Sequence, residues 1–366
     1  MRLFYIACSV VFTMIFGFTY AQTDQEKAFQ LGTEAIQLMD NGQINESIKL
    51  LEEAQKLDPE SMLYPYEIAY AYYLQKDFQT VIQILTGIID HPDANDQIFQ
   101  MLGNSYSYSG IPEMALAAYA QGLEKFPHSG RLYLESGQIH YVFENYNQAI
   151  SFWEQGIKAE PEFPSNYYWL AKIFASSNEM IWSLIYGELF MLLEPNTDRT
   201  YEISQLMYQN YLNSYTPSTE SSGEFNLTEN GFNLVINSQE ELDNLNQTLF
   251  PFEGTFASCF AVSALNFVTD INLETIHQAR QNFVVEWFSK DVYYESYSHS
   301  LIDFQKKLQE AGHMEAYNYW LISEGDYDNF YVWYEQNKDK FEAFADWYNA
   351  HPISLTPQDI YARTDY

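Results

Sequence analysis

Cys259 and three histidines are the residues from which covalent chemistry in this chain would have to be built. Cys259 lies in Gly254-Thr255-Phe256-Ala257-Ser258-Cys259-Phe260, near a plausible helix start where a thiolate is favoured, and His277, His299 and His313 are available as bases. A nucleophilic thiol also needs a residue that orients its base, and the sequence marks none. Phe256, Ala257, Phe260 and Ala261 surround the cysteine with core-forming side chains, so it reads as a small buried hydrophobe. Asp326-x-Asp328 begins like a calcium loop, but Phe330 stands where the third oxygen ligand belongs and no glycine follows. Glycine loops that cradle phosphate, zinc-ligand spacings and an HExxH motif do not occur. The expectation is a protein with no cofactor, no metal and no catalytic residues.

The elements that hold the remaining candidate residues are set by a repeat. From Ala28 to about Pro195 small residues recur every 34 positions, at Ala35, Ala69, Gly103, Gly137 and Ala171. A second, mostly small series follows each by twelve, at Ser47, Val81, Ala115, Ala149 and Ser183, and prolines close the periods at Pro59, Pro92, Pro127, Pro161 and Pro195. Two antiparallel helices approach closely only where both lack bulk, and large neighbours must fill the space beside the contact. Such fillers stand at Leu31, Phe99, Tyr133 and Tyr167, and again at Leu51, Leu85, Tyr119 and Trp153. Gly42, Gly110 and Asn178 occur where the first helix of a pair should end in a left-handed residue; Lys76 and Glu144 depart from that preference.

These positions resemble the tetratricopeptide repeat, a 34-residue helix-turn-helix unit with small residues at positions 8, 20 and about 27 and proline at 32. The resemblance implies an all-α fold: a right-handed α-solenoid of about five units, its inner groove lined by the first helix of each. Positions 2, 5, 9, 12 and 13 usually face that groove in the family. Carried over, the candidate partner-binding residues are Tyr66, Tyr70 and Tyr73 in the second unit and Gln100, Asn104 and Tyr108 in the third, followed by Arg131, Gln138 and Tyr141, then Tyr168 and Lys172. Tyrosine offers a large apolar contact with a polar tip at low entropic cost, which suits recognition of a protein or peptide segment. Asn104 alone is similar to the family's carboxylate clamp, which needs several Lys, Arg and Asn from adjacent units.

At 366 residues the chain has room for a second unit beyond the repeats. Its 47% hydrophobic and 17% aromatic content argues against disorder. Fifty acidic side chains against 17 basic ones give a net charge of -33, which excludes tight binding to nucleic-acid phosphates and disfavours anionic membrane surfaces. Arg2, the apolar run Leu3 to Phe18 and Thr19-Tyr20-Ala21 read as an export signal cleaved after Ala21, leaving a periplasmic or secreted chain that starts at Gln22 and has no membrane span. Cys8 would serve a lipoprotein reading, but it has almost no apolar region ahead of it. Cleavage would leave Cys259 without a disulfide partner in the chain.

After the repeats, Tyr201 to Tyr215 reads as a capping helix and Thr216 to Gly223 as a linker. The domain scheme is therefore 1–21 signal, 22–200 repeat solenoid, 201–215 cap, 216–223 linker and 224–366 a mostly helical, aromatic-rich C-terminal domain. Within the last, Phe232, Leu234 and Ile236 read as a strand and Ser238 with Glu241 opens a helix to about Leu249. Leu301 to Ile322 and Tyr327 to Tyr348 read as two long helices, and Thr356-Pro357 with Asp359 as the start of a short terminal one. Between Tyr317 and Tyr348 there are more rings than one helical stripe can hide, so some should face a groove or surface. The function expected is a non-enzymatic scaffold of the cell envelope that binds a partner polypeptide in its groove. The alternative is glycan or small-ligand binding through exposed C-terminal rings. Oligomeric state is not fixed by the sequence.

Overall fold

The computed structural model describes residues 23–217, 223–225, 227–228, 249–264, 271–358, 360 and 362–365. The expected signal at 1–21, the strand at 232–236 and the helix from Ser238 lie outside the described residues. The chain forms two compact units, one ending at Ala94 and one starting at Asn95.

The first unit is two helical hairpins, α1 (Asp24–Asp40) with α2 (Ile44–Leu57) and α3 (Leu63–Leu74) with α4 (Phe78–Ile88). A capping box starts it: the Thr23 hydroxyl accepts from Glu26 N at 3.1 Å and the Glu26 carboxylate accepts from Thr23 N at 2.8 Å. Ala35, Leu51, Ala54 and Ala71 are fully buried in one apolar cluster with Met39, Ile48, Tyr64 and Ile68.

The second unit continues the hairpins with α5 (Asp96–Tyr108) and α6 (Pro112–Lys125), α7 (Gly130–Val142) and α8 (Tyr146–Ala159), and α9 (Pro164–Ala175) and α10 (Met180–Leu193). Here the small position 8 and the bulky position 24 are matched in size. A Cβ added to Gly103 would fall inside the Tyr119 ring, and one added to Gly137 inside the Trp153 ring. Where position 8 is alanine, at Ala35 and Ala69, position 24 is the smaller Leu51 or Leu85, and all four are fully buried. Ala171 faces the opposite case, Gly187, whose space is filled by Ile203 and Met207 of α11 (Asp198–Ser214).

The left-handed turn residue at position 15 is present in four repeats whatever its side chain: Gly42 and Gly110 at φ 77°, Lys76 at 62° and Glu144 at 59°. Geometry overrides residue preference at the last two, where the same turn is kept with a side chain present. Asn178, expected to do the same, does not. Its turn is rebuilt by Ser177, whose hydroxyl donates to Phe174 O at 2.8 Å and accepts from Glu179 N at 3.0 Å. Buried Leu227 then accepts a hydrogen bond from Ile181 N at 2.9 Å.

The ends of the expected linker pair with each other. β1 (Tyr215–Pro217) and β2 (Gly223–Phe225) form a two-stranded antiparallel ladder in the register Tyr215 to Phe225 and Pro217 to Gly223. On either side of it the chain contributes to one apolar core that runs from Ala149 to Ala362. The helices beyond are α12 (Phe252–Ser263), α13 (Leu273–Phe288), α14 (Asp291–Ser296), α15 (Ser300–Glu310), α16 (Met314–Leu321), α17 (Tyr327–Gln336) and α18 (Lys338–Ala350). Each of the two long helices expected from the sequence is thus a pair. Gly312 at φ 79° ends α15, and Asn337, at φ -129° and ψ 27°, separates α17 from α18. The expected terminal helix is replaced by a turn at 357–358 and a single 3-10 turn at Arg363–Asp365, because Leu355, Ile360 and Ala362 are drawn into the core.

A buried polar cluster ties α10 to these helices. Glu188 and Arg280 are almost fully buried and pair at 2.5 Å; the same Glu188 oxygen accepts from Tyr317 OH at 2.5 Å and Gln305 Nε2 at 2.8 Å. Arg280 also donates to Asn318 Oδ1 at 2.6 Å and Tyr211 OH at 2.9 Å. Burial works against the Arg280 charge, but the Glu188 carboxylate outweighs it and holds the guanidinium above its usual pKa. The tail returns to the repeats as well, with Lys158 bonded to Asp365 at 2.6 Å and Arg363 near Glu154 at 3.7 Å and Glu179 at 3.6 Å.

Candidate partner-binding groove

In the first unit, α3 carries Tyr66, Tyr70 and Tyr73. Tyr70 is exposed, Tyr66 and Tyr73 are half-buried, and Tyr73 meets Phe78 edge-on at 5.6 Å.

In the second unit the structure gathers Gln100, Asn104 and Arg131 around Glu135, a residue the position rule passed over. The Glu135 carboxylate accepts from Gln100 Nε2 at 2.7 Å and Asn104 Nδ2 at 3.4 Å. Arg131 Nη1 donates to Gln100 Oε1 at 3.5 Å, and its Nε pairs with Asp96 at 3.1 Å. Asn104 accepts in turn from the Tyr119 hydroxyl. Burial raises the Glu135 pKa, opposed by these amides and by Arg131. Glu135 stands at position 6, one step from the groove-facing position 5, and its carboxylate among amides and rings is the signal that would have found it.

Gln138 at position 9 keeps its Nε2 buried without a hydrogen-bond partner among the described residues. Tyr141 is exposed and its ring is held at 5.5 Å from Trp169, 5.9 Å from Trp153 and 5.7 Å from Tyr146. Tyr108 is 64% exposed.

Repeat five is different. Tyr168 is buried, its hydroxyl donates to Glu202 at 2.5 Å, and Lys172 reaches the same carboxylate at 2.6 Å and lies 4.8 Å over the Tyr168 ring. Glu202 belongs to α11, so these two candidates are engaged by the chain's own next helix. Burial pushes the Tyr168 pKa up, helped by Glu202.

The thiol chemistry does not assemble among the described contacts. Cys259 sits in the middle of α12, not at its start, and is buried with its Sγ donating to Phe283 O at 3.8 Å. Burial pushes its pKa well above the ordinary thiol value. His277 Nδ1 meets Asn318 Nδ2 at 3.1 Å, His299 Nδ1 accepts from Leu301 N at 3.2 Å and His313 packs 5.4 Å from Trp347. Among the described residues no group of His, Cys, Asp and Glu is placed to hold a metal, and no helix is long and apolar enough to cross a membrane.

The hairpins, their period and their size-matched contacts agree with a family model described as the tetratricopeptide repeat, which matches residues 33–85 and 101–160. These two stretches are tetratricopeptide repeats. Such arrays are in general non-enzymatic platforms for protein interaction. Among solved structures it is similar to the C-terminal part of a TPR repeat-containing protein from Cytophaga hutchinsonii, at 13% identity over 80% of this chain and 95% of that one, with a TM-score of 0.41. A thermophilic TPR protein of Thermus thermophilus is similar at 16% identity over 49% and 98%, TM-score 0.41. MamA from Desulfovibrio magneticus is similar at 16% identity over 49% and 99%, TM-score 0.38. A comparison with curated proteins finds no match.

Proposed function

We propose that this protein is an exported scaffold that holds a partner polypeptide along the groove side of repeats three and four. The observation that carries the reading is the state of the amides there. Gln100 and Asn104 are fixed in place by Glu135 and Arg131, while Gln138, whose buried Nε2 has no acceptor among the described residues, lies one helical turn from the exposed Tyr141 ring. Groups ordered before a partner arrives lose little entropy on binding, and the exposed tyrosine ring beside them offers a large apolar contact to an extended peptide. Tyr168 and Lys172 serve instead to seat α11. Export rests on Arg2, the apolar run to Phe18 and Thr19-Tyr20-Ala21.

Affinity capture from the native cell envelope tests the reading. The parent chain should recover a stoichiometric protein, and Gln138→Ala with Tyr141→Ala should lose most of it while circular dichroism shows the chain still folded. Full capture by that double variant would place the site elsewhere. N-terminal sequencing of the mature chain should begin at Gln22; an uncleaved Met1 would overturn the export reading.

A further inference from the structure

The turns that join the two helices of repeats three and four expose apolar side chains that the groove reading does not use. In repeat four every residue from Tyr141 to Gln148 is exposed, Val142 at 72%, Phe143 at 57% and Tyr146 at 48%. In repeat three Ile111 and Met114 are exposed at 42% and 45%. Equal repeat positions lie side by side when hairpins stack, so these residues share one end of the two repeats, adjoining Tyr108 and Tyr141 at the groove edge. The surface is firm, since Tyr141 and Tyr146 rest on each other and Tyr141 on the buried Trp153.

The charge carried by these two turns has one sign. No Lys or Arg occurs between Lys76 and Lys125 or between Arg131 and Lys158, so the charged side chains of these turns are the exposed Glu113 and Glu144. A second copy of a chain with net charge -33 is repelled here, as are nucleic acid and anionic lipid, and a neutral sugar gains nothing from the field. An amphipathic segment bearing Lys or Arg beside its apolar residues satisfies both features.

We infer that the exposed turn ends of repeats three and four are a docking surface for a basic amphipathic polypeptide segment, a refinement that rests on the scaffold reading above by naming the partner's chemistry. The apolar residues cover Val142, Phe143 and Met114 while the cations stand over Glu113 and Glu144.

Fluorescence anisotropy of the full chain with a labelled amphipathic Leu/Lys peptide decides it, beside a Leu/Glu peptide and a Ser/Lys peptide of equal length. The Leu/Lys peptide should bind, and weaken at least tenfold as NaCl rises from about 50 to 500 mM. Val142→Ser with Phe143→Ser should weaken it at least about tenfold with unchanged melting temperature, as these side chains are on the surface. Glu113→Lys with Glu144→Lys should weaken it at low salt only. Equal binding of the Leu/Glu or Ser/Lys peptide, or unchanged binding to the Val142/Phe143 variant, would overturn the inference. Native capture separates the two ideas. A partner lost with the Gln138/Tyr141 variant but fully kept by the Val142/Phe143 variant sinks the docking surface and leaves the groove standing, and capture indifferent to Gln138 and Tyr141 sinks the groove while the peptide titration still decides the turns.

Discussion

Trp153 and Trp287 are both buried, and their surroundings differ. Trp153 fills the notch left by Gly137 and donates its Nε1 to Leu134 O at 3.2 Å, an arrangement that Tyr119 repeats over Gly103 with a smaller ring. Trp287 lies instead among Phe283 at 5.6 Å, Tyr293 at 5.7 Å and Phe252 at 6.2 Å, ring against ring with no periodic small residue. The repeats bury aromatic surface by one rule used at a fixed interval. The helices after Pro195 bury it through contacts that occur once each, with the Glu188–Arg280 cluster among them. A one-off contact has no equivalent next door to take its place, whereas a periodic one is shared among neighbours.

The comparison can be broken from its irregular side first. Arg280→Met leaves the Glu188 carboxylate buried with hydroxyl and amide partners only, and should cost roughly 3–5 kcal/mol in urea denaturation. An unchanged midpoint would mean that the apolar contacts alone hold α10 to α13. On the regular side, Gly137→Ala should cost about 1–3 kcal/mol by driving a methyl into the Trp153 ring. Ser at a surface position of the same helix should cost nothing measurable. If Gly137→Ala melted like the parent, the size matching of positions 8 and 24 would not be what sets the helix crossing.

A pH titration sharpens the contrast. Burial lowers the His299 pKa to about 4, below its ordinary value, so the unfolded chain takes up the proton first. The stability tied to this neutral ring is complete above about pH 6.5 and is lost as pH falls toward 4. His299→Asn keeps an acceptor for Leu301 N without titrating. Its melting temperature should therefore fall less than the parent's over that window, and parallel curves would show that His299 does not contribute. Glu135 and Glu154, whose pKa values burial raises, act in the opposite direction in both proteins and drop out of the difference.

The smallest effect tests the turn. Lys76→Gly removes a side chain from a left-handed backbone and should stabilise by about 1 kcal/mol, whereas Asn178→Gly, whose backbone is not left-handed, should give no gain. Equal responses at the two sites would contradict the difference between the first four turns and the fifth.

Much of the repeat array was legible because its causes are local. Spacing within one hairpin decides which side chains share a face, and a small residue opposite a large one decides how closely two helices lie. Gly103, Gly137, Tyr119 and Trp153 declare both facts without reference to anything farther away. The groove candidates were only partly legible. Position numbers grouped Gln100, Asn104 and Arg131, which the structure brings together, but Glu135, which orders them, is visible only once adjacent repeats are stacked. The paired helices at 300–321 and 327–350 were read as single rods because Gly312 and Asn337 interrupt an otherwise continuous apolar pattern.

By itself the sequence determined the period, the hairpins, the size-matched contacts and the one-signed charge of the turns of repeats three and four. Tertiary structure alone decided that Tyr168 and Lys172 are engaged by Glu202 while Tyr141 stays exposed, and that Ser177 and Leu227 hold the fifth turn without a left-handed residue at Asn178. The reason is distance along the chain. Coverage is set by segments such as Glu202 and Leu227 that pay loop-closure entropy to return, and no local pattern encodes where they land.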